Sequence, residues 1–248
     1  MKPFPYDKFY PIFMKELKSV FFHFIEQNKG KKPYIFVLKA PDYIAVNHPK
    51  SYCLGANGNT VVDFESTGRE SAAELKSDLR NMIAEMEADS DFQTDNELQD
   101  IVANLRKKIN SDSLEYDYKY NSEEWVNDIF KDNDFPKSNA IVLNYYKKNE
   151  KDVFDEDDDK DENISSDSYD RDSGYSIEFI KFRTEFFNFL IKCLKQLRDE
   201  KYFESVYPER ILINFEVREF YSEEEMIHIF EELNTKEEAK QYTRALYG

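Results

Sequence analysis

Arg210-Ile-Leu-Ile-Asn-Phe-Glu-Val-Arg218 contains the clearest strand pattern of the sequence and indicates the fold class. Its apolar residues at 211, 213, 215 and 217 alternate with mostly polar ones, a pattern that predicts a strand with one buried face. Upstream of it, apolar residues recur at three- and four-residue steps from Ile177 to Leu197 and predict a long helix. Downstream, Ser222-Glu-Glu-Glu225 and Thr235-Lys-Glu-Glu238 are capping boxes that each open a short helix. This unit indicates a fold class and contains no catalytic motif.

The rest of the chain supplies the partners that this strand needs. The same patterns predict strands over 34–39, 43–46 and 114–120, long helices over 7–28 and 178–199, and a helical hairpin with helices over 69–88 and 95–109. Residues 55–59 predict a turn, and the pattern at 141–146 fits either a strand or a helix. We therefore expect an α+β fold in which a small, mostly antiparallel sheet is covered by the long helices. The chain would form one domain over residues 1–248, with the hairpin 69–110 as an insertion.

The charge of the chain restricts its partners. The sequence has 51 acidic and 34 basic side chains, a net charge of −17. Residues 150–172 alone hold twelve acidic and three basic side chains, and the segment 147–173 has few apolar residues, so it predicts an acidic, disordered loop. Nucleic acid and anionic membranes repel such a chain, whereas a basic protein is attracted to it. We expect a basic protein partner, no nucleic acid and no membrane.

Groups that could perform catalysis or bind a metal are scattered along the sequence. His23, His48 and His228 fall in different elements, and Cys53 and Cys193 are 140 residues apart without a second cysteine nearby. Asp155-Glu-Asp-Asp-Asp159 lacks the glycine and glutamate positions of a calcium-binding EF-hand loop.

One of these histidines lies in an acidic setting. His228 is surrounded by Glu224, Glu225, Glu231 and Glu232. On an exposed helix such carboxylates are usually solvated, although a metal site is the alternative. We expect that the protein is not an enzyme and that it binds no metal and no cofactor. The alternative, that it is an enzyme, requires a pocket in which His228 or Cys53 meets buried carboxylates.

The N-terminal sequence lacks the basic and then apolar pattern of a signal peptide. No apolar run approaches the roughly 18 residues that a membrane-spanning helix needs. We expect a cytoplasmic protein.

Tyr118-Lys-Tyr-Asn-Ser-Glu-Glu-Trp125 resembles the signature Tyr/Trp-x-x-x-Glu-Trp of an uncharacterised bacterial family, domain of unknown function 4303. The Phe-rich helix after Ile177, the strand 211–217 and the pair Leu233-Asn234 are similar to the family's C-terminal half. Near the start, residues 34–38 and 59–60 also resemble it, so the resemblance covers most of the chain except 68–112 and the acidic loop. Family members are often found beside secreted toxins, which implies an immunity role. The resemblance implies no catalytic residues.

We therefore expect a non-enzymatic protein-binding module, a bacterial immunity protein that binds and neutralises a basic toxin domain. Two surfaces are candidates for this binding. The first is the acidic run Asp155, Glu156, Asp157, Asp158 and Asp159. The second is an aromatic ridge, because Tyr and Trp are common interface anchors. This ridge comprises Tyr116, Tyr118, Tyr120 and Trp125.

Each expectation has an alternative. The acidic run can be a solubilising linker, and the aromatic residues can belong to the core. The whole protein can be an acidic cytoplasmic scaffold or regulatory protein without a toxin partner, or an enzyme of unknown type. The sequence does not indicate an oligomeric state.

Overall fold

The computed structural model describes residues 1–40, 54–88, 92, 95–110, 119–120, 125, 134–149, 177–217 and 220–247. Its strands are β1 (Pro33–Ala40), β2 (Gly55–Thr60) and β3 (Leu212–Val217). The described helices before residue 150 are α1 (Tyr6–Gln27), α2 (Val61–Asp63), α3 (Arg69–Ala88), α4 (Asn96–Asn110) and α5 (Pro136–Asn149). Those after it are α6 (Ile177–Asp199), α7 (Tyr202–Val206), α8 (Glu223–Leu233) and α9 (Lys236–Tyr247). A π-helical turn, Phe64–Gly68, joins α2 to α3.

The three strands form one sheet in the order β2-β1-β3, which confirms the α+β class. The sheet is mixed, because β1 is antiparallel to β2 and parallel to β3. The prediction of a mostly antiparallel sheet is corrected on this point. Parallel neighbours need a long crossover connection, and the chain between β1 and β3 provides one, since it contains strand β2 and the helices α2 to α7.

The structure confirms two of the four predicted strands, 34–39 and 211–217, as β1 and β3. The predicted strand 114–120 does not extend to Lys119 and Tyr120, which are helical. Residues 114–118 and the predicted strand 43–46 lie outside the described residues. The helices predicted at 7–28, 69–88, 95–109 and 178–199 are confirmed, and residues 141–146 are helical, within α5.

Strand β2 occupies the region for which the sequence predicts a turn, so that prediction is wrong. Its sequence, Gly55-Ala-Asn-Gly-Asn-Thr60, has little intrinsic preference for a strand. Pairing with β1 and close packing against α1 decide its conformation. A Cβ atom at Gly58 would lie 2.8 Å from the carbonyl oxygen of Ile35 and closer still to the ring of Phe24. Glycine is needed here because the backbone and the ring leave no room for a side chain.

Replacing Gly58 by alanine is expected to lower the free energy of unfolding by about 1–3 kcal/mol, the usual cost of overpacking. Gly30→Ala is the matched control, since a Cβ atom at Gly30 has nothing within 4 Å. Urea unfolding of both variants measures the difference. Equal stability of the two variants would show that the ring of Phe24 moves aside without cost.

The first face of the sheet carries a phenylalanine-rich core. Phe36 and Leu38 of β1 and Ile213 and Phe215 of β3 are buried there against α1 and α6. Within this core, Arg183 of α6 is completely buried, with its guanidinium 4.8 Å from the ring centre of Phe220 and 5.3 Å from that of Phe179. Its position in the sequence gave a signal of this burial, because residue 183 lies four residues from two core phenylalanines, 179 and 187.

The hairpin of α3 and α4 has a small core of its own, in which Ile83, Val102 and Ile109 are buried. That the hairpin is an insertion stays a prediction. That the whole chain forms a single domain stays a prediction. Among the helices of the described residues, none combines the length and the apolar character needed to cross a membrane.

Candidate functional site

The second face of the sheet mixes apolar and polar side chains. Residues in register on neighbouring strands share a face. Val37 of β1 lies between Asn57 of β2 and Asn214 of β3, and Lys39 lies beside Glu216. Two residues earlier on β1, Ile35 lies between Asn59 and Leu212. The central strand thus gives this face its apolar middle, and the outer strands give it amides and a carboxylate.

Hydrogen bonds connect these polar groups to the elements that cover them. The Asn214 amide is buried and donates to Glu216 Oε1 at 3.2 Å. The Tyr34 hydroxyl donates to the carbonyl oxygen of Lys119 at 2.8 Å. Burial raises the pKa of Tyr34, and burial together with the charge of Glu216 raises the pKa of Tyr242. Both phenols therefore stay protonated at neutral pH and do not act as bases.

An aromatic cluster formed by side chains of α8 and α9 with Tyr120 and Trp125 covers this face. The rings of Phe230 and Tyr242 stack at a centroid distance of 4.2 Å and an interplanar angle of 3°. Tyr120 meets Tyr242 edge to face at 5.4 Å, and Trp125 belongs to the same buried cluster. Stacked and edge-to-face rings of this kind stabilise a core beyond the area they bury. The cluster fixes α8 and α9 on the sheet.

Asn234 fixes the end of α8 to β3. Its Oδ1 accepts a hydrogen bond from the backbone N–H of Ile213 at 2.9 Å. Its Nδ2 donates to the carbonyl oxygen of Ile213 at 2.7 Å and to that of Phe230 at 2.9 Å. One amide thus satisfies both backbone groups of Ile213 and the C-terminal end of the helix.

Arg198, in the last turn of α6, joins three further elements. Its Nε donates to the carbonyl oxygen of Leu233 at 3.1 Å, and its Nη2 donates to that of Ile211 at 2.8 Å. Its Nη1 donates to Glu204 Oε1 in α7 at 2.7 Å. The guanidinium also lies 5.2 Å from the ring centre of Phe203. Because the side chain is only 10% exposed, these contacts are made largely away from water.

A second ion pair extends this network to α9. Arg210 donates to both carboxylate oxygens of Glu238 at 2.9 Å. The same carboxylate caps α9 by accepting from the backbone N–H and the hydroxyl of Thr235. Burial raises the pKa of Glu238, but the hydrogen bonds from Arg210 and Thr235 outweigh burial and hold it at about 2. The carboxylate is therefore ionised at any physiological pH.

The outer surface of α8 is strongly acidic, and we call it the α8 ridge. It consists of five exposed glutamates, Glu223, Glu224, Glu225, Glu231 and Glu232. The eleven-residue helix contains no lysine or arginine. Its opposite side is buried through Ile229, Phe230 and Leu233, and its start is held by the capping box of Ser222 and Glu225. The ridge is a fixed row of negative charge on a packed helix.

A family model with the description Domain of unknown function (DUF4303) matches residues 92–235. This region is more than half of the 248-residue chain. The chain belongs to the DUF4303 family. No curated protein and no solved structure matches the chain.

The DUF4303 region contains most of the elements described above. It includes helices α4 to α8 and strand β3, and it ends at Thr235, which caps α9. The extent differs from the one expected from the sequence, because the match includes residues 92–112 and does not include β1 or β2. The α8 ridge, Asn234 and Arg198 all lie inside the matched region. The central strand against which they assemble lies before it.

The structure places two of the nine residues predicted to bind a partner. Tyr120 is 4% exposed and Trp125 is 6% exposed, so both belong to the core beneath α8 and α9, as the core-packing alternative expects. Neither presents a surface to a partner in this structure. The other seven, Tyr116, Tyr118 and the acidic run 155–159, lie outside the described residues.

The groups considered for enzyme chemistry do not converge in the described part of this DUF4303 protein. No group of three or more His, Cys, Asp or Glu side chains among the described residues could hold a metal ion. Burial raises the pKa of the Cys193 thiol to about 12, which leaves it unreactive at neutral pH. His228 is 72% exposed, and its Nε2 lies 3.4 Å from Glu232. His48 and Cys53 lie outside the described residues.

Two residues that organise this region were not predicted from the sequence. Arg198 resembles any other charged residue at a helix end, and no local signal distinguishes it. Asn234 carried a weak signal, because the pair Leu233-Asn234 was recognised as part of the family pattern. Its role depends on β3, which is 21 residues away in the sequence.

Proposed function

We propose that this DUF4303 protein is a non-enzymatic binding module of the cytoplasm, an immunity protein that binds and neutralises a basic toxin domain. The observation that carries this proposal is the α8 ridge. Its five glutamates are exposed on a helix that has no basic residue except His228. No ion pair of the described residues involves Glu223, Glu224 or Glu231, so no neighbouring lysine or arginine in that part of the chain neutralises them.

The α8 ridge favours binding for a second reason besides its charge, because the helix that carries it is already held in place. A partner that binds a flexible segment loses free energy when the segment becomes ordered. The ridge needs little such ordering, because the buried side of α8, the capping box and Asn234 already hold the helix on the sheet. A fixed negative surface attracts a basic partner over a distance and raises the rate of association. The acidic run 155–159 has the same sign of charge, and its contribution stays a prediction.

Two variants of equal net charge test the proposal. The ridge variant carries Glu224→Gln, Glu231→Gln and Glu232→Gln. The hairpin variant carries Glu74→Gln, Glu85→Gln and Glu97→Gln, three exposed positions in α3 and α4. Tagged wild-type protein first retains partners from an extract of the native host at low salt. The retained protein is then purified, and its association with each variant is measured.

The retained partner is expected to be basic, to be released at high salt, and to inhibit growth unless this protein is co-expressed. The ridge variant is expected to associate with it about tenfold more slowly than the hairpin variant. Equal association rates for the two variants would exclude the α8 ridge as the binding surface. A partner without toxicity would favour the alternative of an acidic scaffold.

A further inference from the structure

A cleft of about 500 Å³ lies between residues 1–5, which we call the N-terminal arm, the first turns of α1 and helix α5. Two hydrogen bonds to the backbone of Lys2 fix the arm to α5. The backbone N–H of Lys2 donates to Asn149 Oδ1 at 2.8 Å, and the Tyr145 hydroxyl donates to the carbonyl oxygen of Lys2 at 2.9 Å. Phe4 is buried in the core beside the rings of Phe9 and Tyr145. One wall of the cleft is therefore held in place.

The body of the cleft is apolar. Pro3 and Pro5 line it from the arm, Ile12 lines it from α1, and Ala140 and Ile141 line it from α5. Proline rings and branched aliphatic side chains give a rigid apolar surface that loses little conformational entropy when it is covered. A volume of this size lies within the range of pockets that bind small organic molecules.

The charge around the cleft is opposite to that of the protein. Lys2, Lys8 and Lys148 line it, and none of the described residues that line it is acidic. In the chain as a whole, acidic side chains outnumber basic ones by 51 to 34. No ion pair of the described residues involves any of these three lysines. The amide of Asn144, which is exposed, adds hydrogen-bond donors at the same cleft.

We propose that this cleft binds a small amphipathic anion, with an aromatic or aliphatic body and one carboxylate, sulfonate or phosphate group. The body would lie on the proline and isoleucine side chains, and the anionic group would be held by the lysine ammonium groups. Positive charge in a cleft with apolar walls concentrates the field and selects for anions. This site is separate from the α8 ridge and does not rest on the proposed function.

Two dyes that share one ring system distinguish the binding of the apolar body from the binding of the anionic group. 8-Anilino-1-naphthalenesulfonate carries an anionic group, and N-phenyl-1-naphthylamine is the same aromatic body without it. Fluorescence titration of the full chain measures the affinity for each dye. The cleft variant carries Lys8→Gln and Lys148→Gln. The control variant carries Lys181→Gln and Lys192→Gln, two exposed lysines of α6 with the same change in net charge.

The cleft variant is expected to bind the sulfonate dye about tenfold more weakly than the wild type, a difference of about 1.4 kcal/mol, and the neutral dye with unchanged affinity. The control variant is expected to bind both dyes as the wild type does. Ala140→Trp, which fills the cleft, is expected to abolish binding of both dyes. The proposal fails if the wild type does not bind the sulfonate dye, if both lysine variants lose it equally, or if Ala140→Trp leaves it bound. Thermal melting of each variant shows that a loss of binding does not come from unfolding.

Discussion

Replacing Arg198 by methionine is expected to lower the free energy of unfolding by about 2–5 kcal/mol, because two backbone acceptors in a largely buried site lose their donor. Methionine retains much of the apolar stem but removes every donor. The carbonyl oxygens of Leu233 and Ile211 then lose a hydrogen bond in a site that is largely closed to water. Glu204 retains its contact with Arg210, at 3.2 Å. A buried acceptor without a donor is more costly than a missing surface contact.

The matched control for this change is Arg80→Met. Arg80 is exposed on α3, and among the described residues it takes part in no ion pair. Its replacement is expected to change stability by no more than about 0.5 kcal/mol. Urea unfolding followed by circular dichroism measures both variants. If Arg198→Met is as stable as Arg80→Met, the network around Arg198 does not hold α6, α7, β3 and α8 together.

Replacing Phe230 by alanine is expected to lower the free energy of unfolding by about 3–5 kcal/mol, as for other fully buried phenylalanines. Its side chain is completely buried between the sheet and α9. Its removal leaves a cavity and ends the stacking with Tyr242. Since Phe230 is also one of three buried residues that anchor α8, the α8 ridge would lose part of its support.

Phe22→Ala provides the control, because Phe22 is a phenylalanine of α1 with 47% of its surface exposed. That change is expected to cost about 0.5 kcal/mol or less. Thermal and urea unfolding of the two variants gives the comparison. A loss below about 1 kcal/mol for Phe230→Ala would mean that the aromatic cluster collapses to fill the cavity, and that α8 is held mainly by Asn234 and the capping box.

Arg198 and Phe230 belong to one structural unit, and both lie in the region matched by the DUF4303 family. Arg198 connects α6 to α7 and to the end of α8, and Phe230 packs between the sheet and α9. Between them lies α8, which carries the acidic ridge. The matched region of this chain thus includes the packed elements that surround one strongly charged helix. This arrangement is the physical basis of the proposal that the protein binds a basic partner.

Local sequence patterns were sufficient to predict several helices and one strand. Apolar residues at three- and four-residue steps identified α1, α3, α4 and α6, because one turn of a helix is enough to define a buried side. The alternation of apolar and polar residues identified β3. The two capping boxes, which begin at Ser222 and Thr235, identified the starts of α8 and α9. The net charge and the exposed glutamates beside His228 were likewise readable without a structure.

Contacts between residues that are distant in the sequence could not be predicted from local patterns. β2 is a strand because β1 pairs with it and Phe24 packs on Gly58, although its own sequence favours a turn. β3 lies parallel to β1, an arrangement that alternation along one strand cannot distinguish from antiparallel pairing. Tyr120 and Trp125 are in the core because α8 and α9 cover them. Arg198 organises the C-terminal unit because backbone carbonyls 13 and 35 residues away lie within reach of its guanidinium. Local patterns report the preferences of a segment, whereas pairing and burial depend on contacts that form only when the whole chain is folded.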